Sequence, residues 1–360
     1  MRVAHLLLNV EAGGLEAVVL NLVSRSDRQR FEHRVICLEG LGALAPRFEA
    51  QGIPLEALAA LGKLTALARL RPRLRAWRPD VLHTHNARPH LVGAMARASG
   101  LVPALVHTKH GRNTPHLRRR LLWNHLAARA SDVVVAVSED AAAVARDLER
   151  VPPSKLRVLY NGVDLKSQPP RATVPGSGRA AICVARLHPV KDHVTLLMAA
   201  RRVVDARPDF RLSLAGEGVE RPHIEKLRRE LGLEAHVSFL GHLPDVSGKL
   251  ADSDLFVLAS RSEGISLSIL EAMAASLPVV ATAVGGNQEV VDQGESGLLV
   301  PPASPEPLAD AILALLNNPG RAQALGAAGR RRAERVFNLD GMVARYEALY
   351  LELARKPSRP

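Results

Sequence analysis

The chain has 360 residues, of which 47% are hydrophobic and 23% charged. That balance excludes a disordered chain, a collagen-like chain and a small disulfide scaffold, and at about 150 residues per domain the length predicts two domains. The net charge of +12, carried by 40 Arg and eight Lys against 36 acidic residues, suits an anionic partner: a phosphorylated small molecule, an anionic membrane face or nucleic acid. An Arg-rich codon bias gives the same charge, so charge alone does not choose.

Aromatic residues are only 3% of the chain, so the core is expected from Leu, Val and Ala. Cys37 and Cys183 fall in opposite halves and read as reduced core thiols, which fits a cytoplasmic location. No run reaches the roughly 18 consecutive apolar residues that span a bilayer. The opening residues 1–14 read as a buried first strand, because Gly-Gly-Leu-Glu stands where a signal peptide needs a small-residue cleavage site.

Taken in chain order, short apolar runs at 3–8, 34–38, 81–84, 105–108, 133–137 and 156–159 predict strands. Between the first two, Leu15, Val18, Val19, Leu22 and Val23 recur at i, i+3, i+4, i+7 and i+8, one apolar stripe on a helix. The run Asp132-Val-Val-Val-Ala-Val-Ser138 is apolar on both faces, as a central parallel strand requires. Residues 166–178 carry three prolines and two glycines without an apolar period and read as a linker. Strand runs resume at 181–184, 211–215, 237–240, 255–258, 278–282 and 297–300, with helices expected at 192–205, 268–275 and 338–354. Each half therefore predicts an α/β, doubly wound parallel sheet, the two facing a central cleft.

Several chemistries are excluded by what is missing. There is no P-loop, no G-x-G-x-x-G, no H-E-x-x-H, no C-x-x-C and no G-x-S-x-G. No nucleic-acid module or aromatic–basic interleaving accompanies the positive charge, so nucleic acid is not expected as a partner.

Four features carry chemistry. Gly13 and Gly14 lie between the first strand and the first helix, where free N–H groups and the dipole favour an anion; a plain tight turn explains them equally. Arg186 and Lys191 share the loop after the first strand of the second half and form a candidate diphosphate clamp. In Glu263-Gly-Ile-Ser-Leu-Ser-Ile-Leu-Glu271, one carboxylate precedes a helix and the other lies within it, in otherwise apolar surroundings that call for a polar partner. Histidines gather at strand ends: His83 and His85 on one strand face, then His107 and His110. No acidic or Cys partners stand at ligand spacing, so no metal site is expected, and His110 at the cleft mouth is the candidate for substrate contact.

Together these residues resemble the family-4 retaining glycosyltransferases of the GT-B fold. The stretch from Glu263 to Thr282 is similar to that family's E-x7-E signature and the strand after it. Asn161-Gly-Val-Asp164, Ala215-Gly-Glu-Gly218, Phe239-Leu-Gly-His242 and Gly285-Gly-Asn-Gln-Glu289 resemble further landmarks in the same order.

The resemblance implies an acceptor-binding domain at 1–165, a linker at 166–178, a nucleotide-sugar-binding domain at 179–337 and a final helix, 338–360, crossing back to the first domain. It implies Glu271 on the donor ribose, Arg186 and Lys191 on the diphosphate, and Glu263 on the transferred sugar. Gly13, Gly14, Gly264, Ile265, Ser266 and Leu267 would line the donor, and His110 would stand beside the reacting centre. It further implies a UDP- or GDP-sugar donor, no metal or other cofactor, and a glycan, lipid-linked or small-molecule acceptor. Ser266 departs from the pattern, which often has a second glycine there.

Rival readings on the same fold are a sugar phosphorylase or a nucleotide-sugar epimerase. A phosphorylase normally carries a pyridoxal-phosphate lysine, and eight lysines leave little choice. Finally, the basic, Leu- and Trp-containing stretch 117–130 has the pattern of a helix resting on an anionic membrane: Leu117, Leu121, Leu122 and Leu126 on one side, Arg118, Arg119 and Arg120 toward the others.

Overall fold

The structure, a computed structural model, describes residues 1–60, 62–111, 118–168 and 179–355. It divides into two compact units, Met1–Asn161 with Leu339–Pro360, and Gly162–Asn338. The division at Asn161 falls ahead of the 166–178 stretch, most of which lies outside the described residues.

The first unit holds seven strands: β1 (Arg2–Leu7), β2 (Glu32–Cys37), β3 (Leu55–Ala57), β4 (Val81–His85), β5 (Leu105–Lys109), β6 (Val133–Ala136) and β7 (Leu156–Val158). All pair in parallel, in the order β3-β2-β1-β4-β5-β6-β7. Helices cover both faces, so β4, β5 and β6 are buried at every position. On one side Leu6, Leu82 and Leu105 pack with Leu70, Leu74 and Trp77 of the helix Lys63–Trp77. On the other, Leu7, Val35 and Cys37 meet Val19 and Val23 of the helix Gly14–Arg25. That helix buries Val18, Val19, Leu22 and Val23, the stripe its spacing predicts.

The second unit holds β8 (Ala180–Val184), β9 (Arg211–Ala215), β10 (Val237–Gly241), β11 (Leu255–Leu258), β12 (Val279–Thr282) and β13 (Leu298–Val300). They are again parallel, in the order β10-β9-β8-β11-β12-β13. Ile182, Leu212, Leu214, Phe256 and Val257 form the sheet's share of the core, and Leu197, Val203 and Ile269 come from the covering helices. Both sheets are therefore doubly wound, and in each the strand order reverses once: between β1 and β4, and between β8 and β11. The crevice outside the strand C-termini at such a reversal is where this architecture binds ligands.

The last helix, Leu339–Arg355, belongs to the first unit, far in sequence from the rest of it. Tyr346 and Tyr350, the largest fully buried side chains, are its anchors. Glu347 adds a polar clasp, accepting from Ser26 Oγ and from the Asp27 amide, each at 2.8 Å. No helix among the described residues is long and apolar enough to cross a membrane.

Removing the Tyr350 ring should therefore leave a large cavity. Tyr350→Ala is expected to destabilise the first unit by about 3–5 kcal/mol, the usual cost of deleting a buried aromatic ring. Leu64→Ala, at a position 75% exposed, should stay within about 0.5 kcal/mol. Urea unfolding of the two variants followed by circular dichroism checks the contrast.

Candidate active site

At the reversal of the second sheet, the loop after β8 meets the loop after β11. The first of these passes Arg186 and turns through Pro189–Lys191 into the helix His193–Ala206. Asp192 caps that helix in a left-handed conformation, φ 49°, accepting from the Thr195 amide at 3.3 Å. Burial pushes the Asp192 carboxyl up, but hydrogen bonds from Arg261 and Thr195 outweigh it and hold it below the usual carboxylate range. Arg261 grips both carboxylate oxygens, at 2.8 and 3.3 Å. This fork ties the two loops together.

The same approach joins Lys191 to Glu263. Lys191 Nζ donates to Glu263 Oε1 at 2.5 Å, and Ser260 Oγ donates to that oxygen at 2.6 Å. Glu263 is 9% exposed. Both bonds fall on Oε1, and neither engages Oε2. Arg186, by contrast, is exposed and makes no ion pair among the described residues. It is a cation available to an incoming anion.

The chain after Glu263 runs through Gly264 and Ile265 into the helix Leu267–Ala274. Ser266 is that helix's N-cap: its hydroxyl accepts from the Ile269 amide at 3.5 Å and exchanges a bond with Ser268 at 3.1 Å. The departure from glycine at 266 thus supplies a cap. Ile265 and Ser266 are buried, while Gly264 and Leu267 are half-buried. Glu271 lies within the helix among buried Leu270, Ala272 and Met273. Burial, with the charge of Asp245 behind it, pushes its carboxyl up to about 7.

Two glycines outside the expected site residues hold these loops in place. A Cβ on Gly216 would stand 2.0 Å from the carbonyl oxygen of Ala185, and the backbone there has φ +145°. A Cβ on Gly286 would stand 1.7 Å from the carbonyl oxygen of Gly264. Any side chain at either position would displace the loop carrying Arg186 or the one carrying Glu263.

The remaining expected residues belong to the first unit. Gly13, φ −156°, precedes the helix Gly14–Arg25 without a side-chain cap, and its carbonyl accepts from Ala17 at 3.0 Å. His110 follows β5 and lines a small pocket with Asn86, His107, Lys109, Asn124 and Glu149. Within that pocket Lys109 Nζ and Glu149 Oε1 form a buried ion pair at 2.8 Å.

Two histidines that the sequence did not single out join this group. His5 of β1 sits opposite His83 of β4 in the strand register, and both are fully buried. Ring nitrogens of His5, His83 and His85 lie within 4.8 Å of one another, close enough for a metal ion. Each of those nitrogens already has a protein partner: His83 bonds Tyr350 Oη and Thr108 Oγ1, His5 bonds His33 and His85, and His85 also bonds His110. A cation there would have to break these bonds and bring unscreened charge into a core without a carboxylate among the three.

Two families match the chain: Glycosyltransferase Family 4 over residues 12–167 and Glycosyl transferases group 1 over residues 166–332. The chain is 30% identical over 290 residues to the N-acetyl-alpha-D-glucosaminyl L-malate synthase of Bacillus anthracis, covering 77% of this chain and 75% of that one. It is 32% identical over 287 residues to the D-inositol 3-phosphate glycosyltransferase of Kribbella flavida, covering 71% and 67%. Among solved structures, Anabaena HepE in complex with UDP-glucose superposes with a TM-score of 0.87 at 23% identity, covering 98% of this chain and 100% of that one. The fold, the ordered glycine landmarks and these relatives agree: the chain belongs to the family-4 glycosyltransferases and has their GT-B fold.

Proposed function

We propose that the protein is a retaining hexosyltransferase using a nucleotide-diphosphate sugar, a UDP-sugar ahead of a GDP-sugar, in cell-surface polysaccharide or glycolipid biosynthesis. The observation that carries this reading is the group at the β8/β11 reversal, with Lys191 on Glu263, Arg186 unpaired and Glu271 desolvated. Arg186 and Lys191 neutralise the diphosphate, whose negative charge grows as its bond to the anomeric carbon breaks. Amides from Gly264 to Leu267, with Gly13 and Gly14, add donors to phosphate or sugar. Glu263, held by Lys191 and Ser260 on Oε1, receives a sugar hydroxyl on Oε2. His110 makes a polar contact with substrate.

Glu271 takes the two ribose hydroxyls, one on each oxygen. Among the described residues no second carboxylate presents itself as a nucleophile, which favours reaction on one face. The acceptor oxygen bonds to the anomeric carbon as the diphosphate leaves, and the acceptor's proton passes to the departing phosphate oxygen. With cations doing the work of charge neutralisation, the reaction needs no metal. The acceptor is a glycan, a lipid-linked sugar or a small molecule, held by the first unit.

Lys191→Ala and Glu271→Ala are each expected to lower kcat/KM with the cognate sugar nucleotide by about a hundredfold, a few kcal/mol of lost stabilisation. Unchanged circular dichroism spectra would locate the loss in the site. Near-native rates in either variant would remove that residue from the donor site.

Glu271 also sets a pH dependence. A ribose diol donates to the carboxylate and not to the acid, so binding favours the ionised form and releases a proton below pH 7. Affinity for UDP should rise several-fold from about pH 6 to about pH 8, as Glu271 ionises. Titration calorimetry of the wild type and of Glu271→Gln checks this, since the variant should lose the dependence.

The reading extends to a membrane surface, and the helix Arg118–Ala130 supports it. Leu122, Trp123 and Leu126 are 57%, 49% and 47% exposed; Leu121 is half-buried, and Leu117 lies outside the described residues. Leu64 lies exposed on the helix Lys63–Trp77, whose Lys63 ammonium stands 5.3 Å from the Trp123 ring centre. Apolar side chains beside a cation, on a helix opening Arg-Arg-Arg, match an anionic bilayer in both polarity and charge. The enzyme then works in the cytoplasm, peripherally bound to the inner face of the membrane. Co-sedimentation with phosphatidylglycerol vesicles should occur at low salt, weaken at high salt, and fall in Trp123→Ala. A wild type that stays in the supernatant at low salt would point to a soluble acceptor.

A further inference from the structure

Four imidazoles of the first unit form one continuous hydrogen-bonded chain. His33 Nδ1 meets His5 Nε2 at 3.0 Å, His5 Nδ1 meets His85 Nε2 at 3.3 Å, and His85 Nδ1 meets His110 Nε2 at 3.0 Å. The chain starts on β2, crosses β1 and β4 and ends at the residue after β5. Its two terminal nitrogens, His33 Nε2 and His110 Nδ1, are buried and have no partner among the described residues.

Proton counting restricts this chain severely. Burial holds all four rings neutral near pH 7, with His33 lowered to about 4 and His110 to about 3. A neutral imidazole has one N–H and one bare nitrogen, and each of the three links needs one proton. If His33 donates from Nδ1, then His5, His85 and His110 must all carry theirs on Nδ1. If His33 carries its proton on Nε2, all four must do the same. No mixed arrangement satisfies all three links.

The two ends decide between these states. His33 Nε2 lies in aromatic surroundings, with the Phe31 ring centre 6.2 Å and the Tyr350 ring centre 6.5 Å from its own. In either state one end carries an N–H with no protein partner, and that N–H costs least at the end that borders polar groups rather than aromatic rings. His110 instead borders the pocket that holds Asn86, Asn124 and Glu149, where a ligand oxygen can accept. We propose that His33, His5 and His85 are positioning residues that hold His110 as its Nδ1–H tautomer, so that it offers a donor to a substrate oxygen such as a sugar hydroxyl. The proposal deepens the reading of His110 as a substrate contact and rests on it.

Ring-nitrogen chemical shifts of the histidine-labelled protein report each tautomer directly, with no substrate or activity involved. All four rings are expected to carry the proton on Nδ1 at neutral pH. A proton on Nε2 of His110, or disagreement among the four, overturns the proposal. Two kinds of variant then test the coupling. His85→Phe cuts His110 from the chain and should turn its single tautomer into a mixture. His33→Asn retains a donor at the far end and should leave His110 unchanged. His33→Asp, examined at about pH 8 so that the carboxylate only accepts, should reverse every link and move the His110 proton to Nε2. A His110 tautomer indifferent to both His85→Phe and His33→Asp also overturns it. The reading of His110 as a substrate contact fails separately, if His110→Ala keeps native turnover while the wild-type shifts are as expected.

Discussion

The reversal of strand order is the constraint on which both halves of the molecule depend. In a parallel sheet every connection leaves from the strand C-termini, and successive connections on one side of the reversal cross one face while those on the other side cross the opposite face. At the reversal itself two neighbouring strands send their loops apart, and no helix fills the gap. The β8/β11 reversal places Lys191 and Glu263, 72 residues apart in sequence, in direct contact. The β1/β4 reversal likewise sets His5 opposite His83. The two clusters differ in cover: Arg186 at the second reversal is exposed, while His5 and His83 at the first are fully buried beneath Tyr346 and Tyr350 of the last helix.

This dependence also fixes where backbone must approach backbone. Gly216 lies against Ala185, and Gly286 against Gly264, with no room for a Cβ at either place. The glycine landmarks therefore act at one remove from chemistry. They let the loops bearing Arg186 and Glu263 lie close at the C-terminal ends of the two central strands, and Arg261 on Asp192 ties the same two loops. Ordered side chains at such a site lower the reorganisation needed when charge develops.

Much of this was legible in the sequence, and the parts that were not have physical reasons. Of the thirteen strands among the described residues, twelve fall on runs marked in the sequence, most plainly those buried at every position, such as β4, β5 and β6, which have no exposed position to interrupt the run. The exception, β3 (Leu55–Ala57), is three half-buried residues on one edge of the first sheet. Lys191, Glu263 and Glu271 stand out by chemistry at strand and helix ends, yet that Lys191 and Glu263 pair is a statement about strand order, which spacing does not encode. His83 and His85 are visible as an alternating pair. His5 and His33 are single histidines in apolar strands, and only the register of β1 between β2 and β4 joins them to the others. Ser266 shows the converse, a departure from a familial glycine that local cap chemistry explains.

The imidazole-rich interior of the first unit has a consequence for how the two halves tolerate acid. His5, His33, His83, His85, His90, His107 and His110 all have folded-state values pushed below 6.5 by burial. On unfolding each returns to the ordinary range and takes up a proton, so the unfolded chain binds more protons than the native one below about pH 6.5. Stability present above that point drains away as pH falls toward the folded values, and seven such groups draw on one unit. The second unit has a single histidine of this kind, His193, lowered to about 4. Through these groups, acidification is expected to cost the first unit more stability than the second.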